Sequence, residues 1–182
     1  MKLFLFIFIQ IFFLCFFPAT NSKEEARQDM VLTSISFVNQ GMIPGRHTCD
    51  SNDISPALTW SNSPPGTKSF VLIVDDPDAP DPANPRMTWV HWVLYNLPAS
   101  AGTLAEGVKK LPDGTLEGLN DWKQTGYRGP CPPIGKHHYF HKLYALDIIL
   151  PDLITPAKAK LEKAMEGHIL AKAELVGLYQ KI

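Results

Sequence analysis

The pattern of hydrophobic and polar positions along the chain predicts a mainly β protein. Four apolar or alternating runs are typical of strands, at residues 32–38, 70–74, 88–97 and 139–149. The run at 70–74, Phe-Val-Leu-Ile-Val, is apolar at every position, which indicates a strand buried on both faces. Loops rich in Pro, Gly and Asn separate the runs, and this punctuation favours sheets over a helical bundle.

One helix is predicted near the C-terminus. Thr155 is expected to cap it, Pro156 to occupy its first turn, residues 157–166 to form it and Gly167 to end it. Residues 169–179 could continue a helix or form a strand, and their strand-like second half favours a final strand. Because no repeat, low-complexity tract or linker divides the chain, a single domain is expected.

The first 22 residues have the layout of a secretory signal peptide. Lys2 is followed by an apolar core at residues 3–17 and by a short stretch of small and polar residues. The core is shorter than the roughly 20 residues that a membrane-spanning helix needs. We therefore predict that residues 1–22 are removed, that residues 23–182 form the domain, and that the protein is periplasmic or secreted.

The composition limits the expected classes of partner and the expected redox state of the cysteines. The chain has 17 Lys and Arg against 18 Asp and Glu, with a formal net charge of -1, and has no basic run. This balance argues against a nucleic-acid partner. Of the three cysteines, Cys15 lies in the predicted signal peptide, which leaves Cys49 and Cys131. In an oxidising compartment we predict that these two pair, with two buried free thiols as the alternative.

Two polar loops each lead into an aromatic strand. The first, within VDDPDAPDPANPRMTWVHW at 74–92, places Asp75, Asp76 and Asp78 at the end of the apolar run. A carboxylate there is costly to bury unless something partners it. The second, GYRGPCPPIGKHHY at 126–139, is dense in proline and glycine and therefore irregular but stiff. Two stiff loops joined to core strands predict a shared pocket at one end of a sheet.

Asp76, Asp78, His91 and His137 leave several kinds of site open. Two histidines and two carboxylates suit a zinc or iron ion, and histidine also suits acid/base catalysis. In a third interpretation the aspartates orient and charge the histidines, which bind an anion together with loop amides. A purely structural polar core is the fourth. The spacing of these residues does not distinguish the four interpretations, since the chain has no HExxH, paired CxxC, GxSxG or GxxxxGK motif.

Eight short motifs occur in a characteristic order along the chain. They are SPALTW at 55–60, PGTKSF at 65–70, DPDAP at 76–80, WVHW at 89–92 with NLP at 96–98, LPDG at 111–114, GLND at 118–121, GPCPP at 129–133 and HHY at 137–139. With these motifs the chain resembles the phosphatidylethanolamine-binding protein family, in particular its bacterial Raf-kinase-inhibitor-like branch. They span nearly all of the chain beyond the predicted signal peptide.

The resemblance implies a compact β domain of two antiparallel sheets with a few peripheral helices and a small anion-accepting pocket. By the same resemblance, the ligand-binding residues are Asp76, Asp78, Trp89, His91, Gly129, Pro130, Pro132, His137 and Tyr139. Family members take up phosphate or phosphorylated head groups there, and eukaryotic relatives act on kinases or other regulators. No general catalytic activity goes with the family. Secreted members have counterparts of Cys49 and Cys131.

We therefore expect a non-enzymatic binding protein for phosphate-like or phosphorylated head-group anions that needs no cofactor and modulates another protein. The alternative is a surface-acting inhibitor of a kinase or protease with a regulatory or vestigial pocket, and a third hypothesis is a metal-dependent hydrolase. A homodimer is a further expectation, because bacterial relatives include homodimers.

Three expectations concern single residues. Asp76 and Asp78 should accept hydrogen bonds from a pocket histidine and from loop amides, favouring a protonated histidine. Trp89 and Trp92 point to opposite faces of a strand, so at least one should pack in the core. His138 stands where the family usually has arginine, and we expect it to have a surface or structural role.

Overall fold

The computed structural model describes residues 29–181, so the predicted signal peptide lies outside the described residues. The elements run in the order β1 (Val31–Thr33), β2 (Gly41–Met42), a 3-10 helix (Gly45–His47), β3 (Leu58–Ser61), β4 (Ser69–Asp76), β5 (Trp89–Pro98), β6 (Thr103–Leu104), β7 (Leu116–Glu117), β8 (Lys136–Leu146), α1 (Lys158–Met165) and β9 (Ile169–Gln180). Within this described part, no helix has the length and apolar character needed to cross a bilayer.

Two sheets make up the fold, as predicted. The larger has six strands in the order β2-β9-β8-β4-β5-β7, and the smaller has three in the order β1-β3-β6. All neighbouring strands are antiparallel except β2, which runs parallel to β9. The mainly β fold of two sheets is thus confirmed, and the sheets are antiparallel as expected apart from the two-residue pairing of β2 with β9.

The centre of the larger sheet is β4, which is buried at all eight positions. On one face Phe70, Leu72 and Val74 belong to the core that the smaller sheet covers. On the other face Val71 and Ile73 pack in a second cluster with side chains of α1. A strand covered on both faces reads as a continuous apolar run rather than an alternating one, which explains why its position could be predicted.

Most predicted strands are confirmed within a few residues. The runs at 70–74 and 88–97 lie in β4 and β5, and the favoured final strand is β9. The run at 139–149 is shifted, because β8 begins where Lys136 pairs with Gln180 and its pairing with β9 ends at Leu146. The short strands β2, β3, β6 and β7 carry too few residues to give a periodic signal.

The strand predicted at 32–38 is wrong beyond Thr33. There the Ser34 hydroxyl donates to the Ala57 carbonyl at 2.6 Å and accepts a hydrogen bond from the Ser36 amide at 3.0 Å. Such side-chain bonds to the backbone compete with a strand ladder. They turn the chain away from β3 after only three paired residues.

The C-terminal helix is confirmed, but its predicted start is wrong. Ala157 occupies the N-cap position without a side-chain cap, and Thr155 has a φ of 42°. The reason is a tertiary contact: the Leu119 amide donates a hydrogen bond to the Pro156 carbonyl at 2.9 Å, which holds the chain extended just before the helix. Gly167, at a φ of 79°, follows the helix as predicted.

Cys49 and Cys131 form a disulfide with their Cα atoms 5.4 Å apart, in agreement with the pairing expected from the cysteine count. The bond joins the segment after the 3-10 helix to the loop that precedes β8. It therefore closes one side of the site that lies at the start of β8.

His141 is a buried histidine on the inner face of β8. Its Nδ1 is 3.3 Å from the Tyr139 carbonyl, and its enclosed Nε2 has no hydrogen-bond partner within residues 29–181. Burial lowers the pKa of His141 from 6.5 to about 4. The unfolded chain therefore takes up a proton near pH 6.5 that the folded protein does not accept until about pH 4. The free energy of unfolding is therefore not reduced by His141 above pH 6.5. It decreases as the pH falls from 6.5 to about 4.

We expect His141→Phe to reduce the acid sensitivity of the protein. In the parent protein His141 should lower the free energy of unfolding by about 2 kcal/mol between pH 7.5 and pH 5. Urea denaturation at each pH measures this difference. His168→Phe, at a histidine whose side chain is 41% exposed, is the matched control and should keep the loss of stability that His141 causes. An unchanged slope in His141→Phe would contradict the assignment.

Candidate functional site

The polar loops meet at one end of the larger sheet. β4 ends where Asp76 pairs with Trp89 of β5, and β8 begins on the other side of β4. A cavity of about 400 Å³ opens at this end. Its lining consists of Asp76, Ala79, Pro80, Met87, Trp89, His91, Trp122, Cys131, Pro132, Pro133, His137 and Tyr139.

The lining contains most of the predicted site residues but not all of them. The predicted residues that line the cavity are Asp76, Trp89, His91, Pro132, His137 and Tyr139. Asp78, Gly129 and Pro130 are not in the lining. Trp92 packs in the core, as expected for one of the two tryptophans.

Gly129 has a packing role that the sequence did not reveal. Its amide donates to Asp53 Oδ1 at 2.6 Å, so this N–H is already used. A Cβ at this position would lie 2.1 Å from the His47 carbonyl oxygen, which only glycine avoids. The neighbouring Pro130 carbonyl accepts a hydrogen bond from the Cys49 amide at 3.0 Å. The glycine thus allows two segments to approach closely, rather than presenting an amide to the cavity.

Trp122 is the main lining residue that sequence reasoning missed. Its ring meets those of Trp89 and His91 edge to face, with centroids 5.3 and 5.2 Å apart. The Arg128 guanidinium lies 5.8 Å from the Trp122 ring centroid. The signal available in the sequence was a single aromatic residue in the polar loop that follows the GLND motif. That loop gave no indication of which way the ring would face.

Asp76 and His137 form a buried pair at the base of the site. His137 Nδ1 donates to Asp76 Oδ2 at 2.7 Å, and His137 Nε2 donates to the Ile134 carbonyl at 2.9 Å. Because both ring nitrogens face acceptors, the doubly protonated ring satisfies both bonds. The Asp78 amide donates to Asp76 Oδ1 at 2.8 Å. Asp76 therefore accepts from a pocket histidine and from a loop amide, while His137 keeps no N–H for a ligand.

The other two carboxylates of this segment also have partners. Asp78 Oδ2 accepts from the amide and from Nδ1 of His138, at 2.8 and 2.7 Å, at the protein surface. Asp75 turns to the opposite face, where Lys142 lies 2.7 Å and Lys158 2.5 Å from its carboxylate oxygens. Three successive acidic side chains are thus each matched by a basic group, which removes most of the cost of placing them at a buried strand end.

His91 presents one nitrogen to the cavity. Its Nδ1 donates to the Arg128 carbonyl at 2.6 Å. Its Nε2 makes no hydrogen bond with residues 29–181 and is not among the fully enclosed polar atoms. Burial lowers the pKa of His91 below its ordinary value. The ring is therefore neutral near pH 7, with a lone pair on Nε2.

Tyr139 contributes a hydroxyl to the same wall. Its ring centroid is 5.2 Å from that of His91, and its enclosed hydroxyl has no hydrogen-bond partner in the described part of the chain. Burial raises the pKa of Tyr139 well above its ordinary value, so the hydroxyl keeps its proton. The residues that line the cavity thus include a tyrosine with an enclosed, protonated hydroxyl and the acceptors of His91 and Asp76.

The arrangement offers little to a metal ion. Across residues 29–181, no group of three or more His, Cys, Asp and Glu side chains is arranged to ligate one. In the cavity lining, Asp76 and His137 are held in a direct hydrogen bond to each other. Chemically, the site is suited to holding a small molecule by hydrogen bonds and by contact with aromatic rings.

A sequence profile described as "Phosphatidylethanolamine-binding protein" matches residues 33–180. The chain belongs to the phosphatidylethanolamine-binding protein family. The match covers most of the chain and confirms the family indicated by the motifs. In this family member, the cavity lies where the DPDAP, WVHW and HHY motifs converge.

Relatives of this family member occur in archaea and bacteria. It is 46% identical over 155 residues to a UPF0098 protein of Methanothermobacter thermautotrophicus, an alignment that covers 84% of this chain and 99% of the relative. Among solved structures, a phosphatidylethanolamine-binding protein homologue of Chlamydia trachomatis matches with a TM-score of 0.79 and 43% identity, over 85% of this chain and 99% of that one. YbcL of E. coli matches with a TM-score of 0.77 and 31% identity, over 85% and 100% of the two chains.

We expect His137→Ala to be strongly destabilising. Removing the imidazolium leaves Asp76 buried without its charged partner, and breaking such a pair typically costs about 3–5 kcal/mol. His138→Ala is the matched control, since its ring makes a bond of the same length to Asp78 but is 42% exposed. An exposed pair contributes at most about 1 kcal/mol. Urea denaturation near pH 7 measures both, and equal losses would contradict the buried ion pair.

Proposed function

We propose that the protein is a non-enzymatic binding protein whose cavity holds a small ligand bearing a phosphate or a phosphorylated head group. The observation that carries the proposal is the enclosed hydroxyl of Tyr139, a residue that lines the cavity, which has no hydrogen-bond partner among residues 29–181. A buried donor without an acceptor costs about 1–3 kcal/mol. A ligand oxygen beside this hydroxyl would recover that free energy.

The size and lining of the cavity support a small ligand. A volume of about 400 Å³ lies in the roughly 300–1,000 Å³ range of small-molecule pockets. Two tryptophans and several prolines form walls of fixed shape, and a few polar groups lie among them. Such walls suit the organic part of a head group, while the polar groups orient its oxyanion.

The comparisons support the same class of ligand. The matching family is described by its binding to phosphatidylethanolamine, and the Chlamydia trachomatis and E. coli neighbours are described as members or homologues of that family. The protein would act in the periplasm or outside the cell, where a disulfide between two exposed cysteines persists.

A second candidate is a modulator that acts through its surface on another protein. Two exposed apolar side chains favour it: Met87, which is 50% exposed and also lines the cavity, and Ile134, which is 58% exposed and is hydrogen-bonded through its carbonyl to His137. A protein partner, a second copy of this chain included, would bury both side chains. In that case the cavity would be regulatory or vestigial.

Calorimetric titration with phosphoethanolamine and with inorganic phosphate tests the proposal. We expect saturable binding that Tyr139→Phe weakens about 10-fold, because the substitution removes only the hydroxyl donor. Tyr144→Phe is the matched control. Tyr144 lies on the opposite face of β8, against the cluster that packs on α1, and its substitution should leave the affinity unchanged.

Two results would count against this proposal. If the folded protein shows no saturable binding, the surface-acting modulator becomes the better explanation. If Tyr139→Phe binds as tightly as the parent protein, the ligand lies elsewhere than at this hydroxyl.

A further inference from the structure

We infer that the cavity accepts its oxyacid ligand only in a protonated form, and so distinguishes a phosphomonoester from the sulfate ester of the same shape. The inference rests on the proposed function, because it concerns the same cavity. It adds the requirement that the ligand donates one hydrogen bond to the protein and accepts another from it.

The first acceptor is Nε2 of His91, and the backbone fixes its state. His91 Nδ1 donates to the Arg128 carbonyl at 2.6 Å, while the Arg128 amide donates to the His91 carbonyl at 3.2 Å. A carbonyl can only accept, so Nδ1 must carry the proton of the neutral ring. Nε2 is then left with a lone pair. The other neutral tautomer would place the lone pair of Nδ1 against the carbonyl.

The peptide that fixes this tautomer is itself held on both sides. Asp53 accepts from the Gly129 amide at 2.6 Å, and its other oxygen lies 3.5 Å from the Arg128 guanidinium. The Arg128 guanidinium also lies beside the Trp122 ring. The Arg128 carbonyl lies between these contacts and cannot move away at low cost. The two ring nitrogens of His91 therefore cannot exchange their roles as donor and acceptor.

The second acceptor is the carboxylate of Asp76. Each of its oxygens accepts one hydrogen bond from the protein, from His137 and from the Asp78 amide. A carboxylate oxygen has two acceptor sites, so each retains one. The Tyr139 hydroxyl is enclosed in the same part of the structure and has no hydrogen-bond partner among residues 29–181. Among the described residues, the lining contains no lysine or arginine that would neutralise a fully deprotonated oxyanion.

These atoms suit a ligand with one O–H and one or more bare oxygens. A phosphomonoester has a second pKa of about 6, so near neutral pH a fraction carries the P–OH group that could donate to His91 or Asp76. A sulfate ester has the same tetrahedral shape but carries no such proton. Its oxygens would face Nε2 and the carboxylate as acceptor against acceptor, which leaves buried acceptors unpaired.

The charged groups around His91 act in opposite directions. Asp76 and Asp75, at the end of β4, favour its protonated form, as do the backbone bonds at Arg128 and Gly129. Burial outweighs them and lowers the pKa of His91. His141, on β8, is kept neutral by its own burial. In acid, a proton on Nε2 would turn this acceptor into a donor, and the discrimination should then diminish.

Calorimetry with phosphoethanolamine and ethanolamine O-sulfate tests the inference directly. At pH 6.5 we expect the phosphate ester to bind at least about 10-fold more tightly than the sulfate ester. Between pH 6.5 and pH 8 the apparent affinity for the phosphate ester should fall about 20-fold, because the protonated fraction of the ligand falls by that factor. Any residual affinity for the sulfate ester should not change over this range.

His91→Gln provides the decisive variant, because the Gln amide carries both an N–H donor and an oxygen acceptor and is therefore not restricted to accepting a hydrogen bond from the ligand. In this variant the preference for the phosphate ester should fall to within about 3-fold. His168→Gln makes the same substitution at an exposed histidine paired with Asp147 and should keep the parental preference. Circular dichroism checks that both variants are folded.

The outcomes separate this inference from the proposed function. Equal affinity for the two esters overturns the inference but leaves oxyanion binding in place. A full preference that persists in His91→Gln overturns the role given to His91. If the folded parent protein binds neither ester, the proposed function fails and the inference fails with it.

Discussion

The buried pair of Asp76 and His137 is the interaction on which the site depends. The central strand β4 is covered on both faces and ends in carboxylates, so an unpaired charge there would cost several kcal/mol. His137 supplies the counter-charge from β8, the neighbouring strand. The pair joins the ends of two adjacent strands and sets the base of the cavity between them. Its two members are largely satisfied by each other and by nearby backbone groups.

A second constraint is the attachment of residues 127–131 to residues 47–53. The Tyr127 hydroxyl donates to the His47 carbonyl at 2.8 Å, the Gly129 amide donates to Asp53, and the disulfide joins the two segments covalently. These contacts connect the wall of the cavity to a segment that lies outside the larger sheet. Because the Arg128 carbonyl lies between them, the same attachment sets the tautomer of His91. A structural clamp thus determines which hydrogen bonds the cavity can offer.

Together the two constraints leave few polar atoms for a ligand. His137 and the Gly129 amide, which the resemblance implied would contact the ligand, are engaged within the protein. Among the described residues, the side-chain acceptors that remain in the cavity lining are His91 Nε2 and the spare acceptor sites of Asp76. We infer that a cavity with these acceptors, and with no lysine or arginine in its described lining, selects its ligand by proton content as well as by charge. Its aromatic walls supply contact area without altering that balance.

By itself, the sequence determined the mainly β class, the central buried strand, the C-terminal helix and strand, and the family. These follow from burial patterns, backbone preferences and motif order, which depend on residues that are close together in the sequence. Only the tertiary structure decided that Gly129 packs against His47, that Trp122 lines the cavity and that Pro156 rather than Thr155 governs the start of the helix. Each of these depends on atoms from distant segments that come within hydrogen-bond or van der Waals distance, and no local pattern specifies which segments meet.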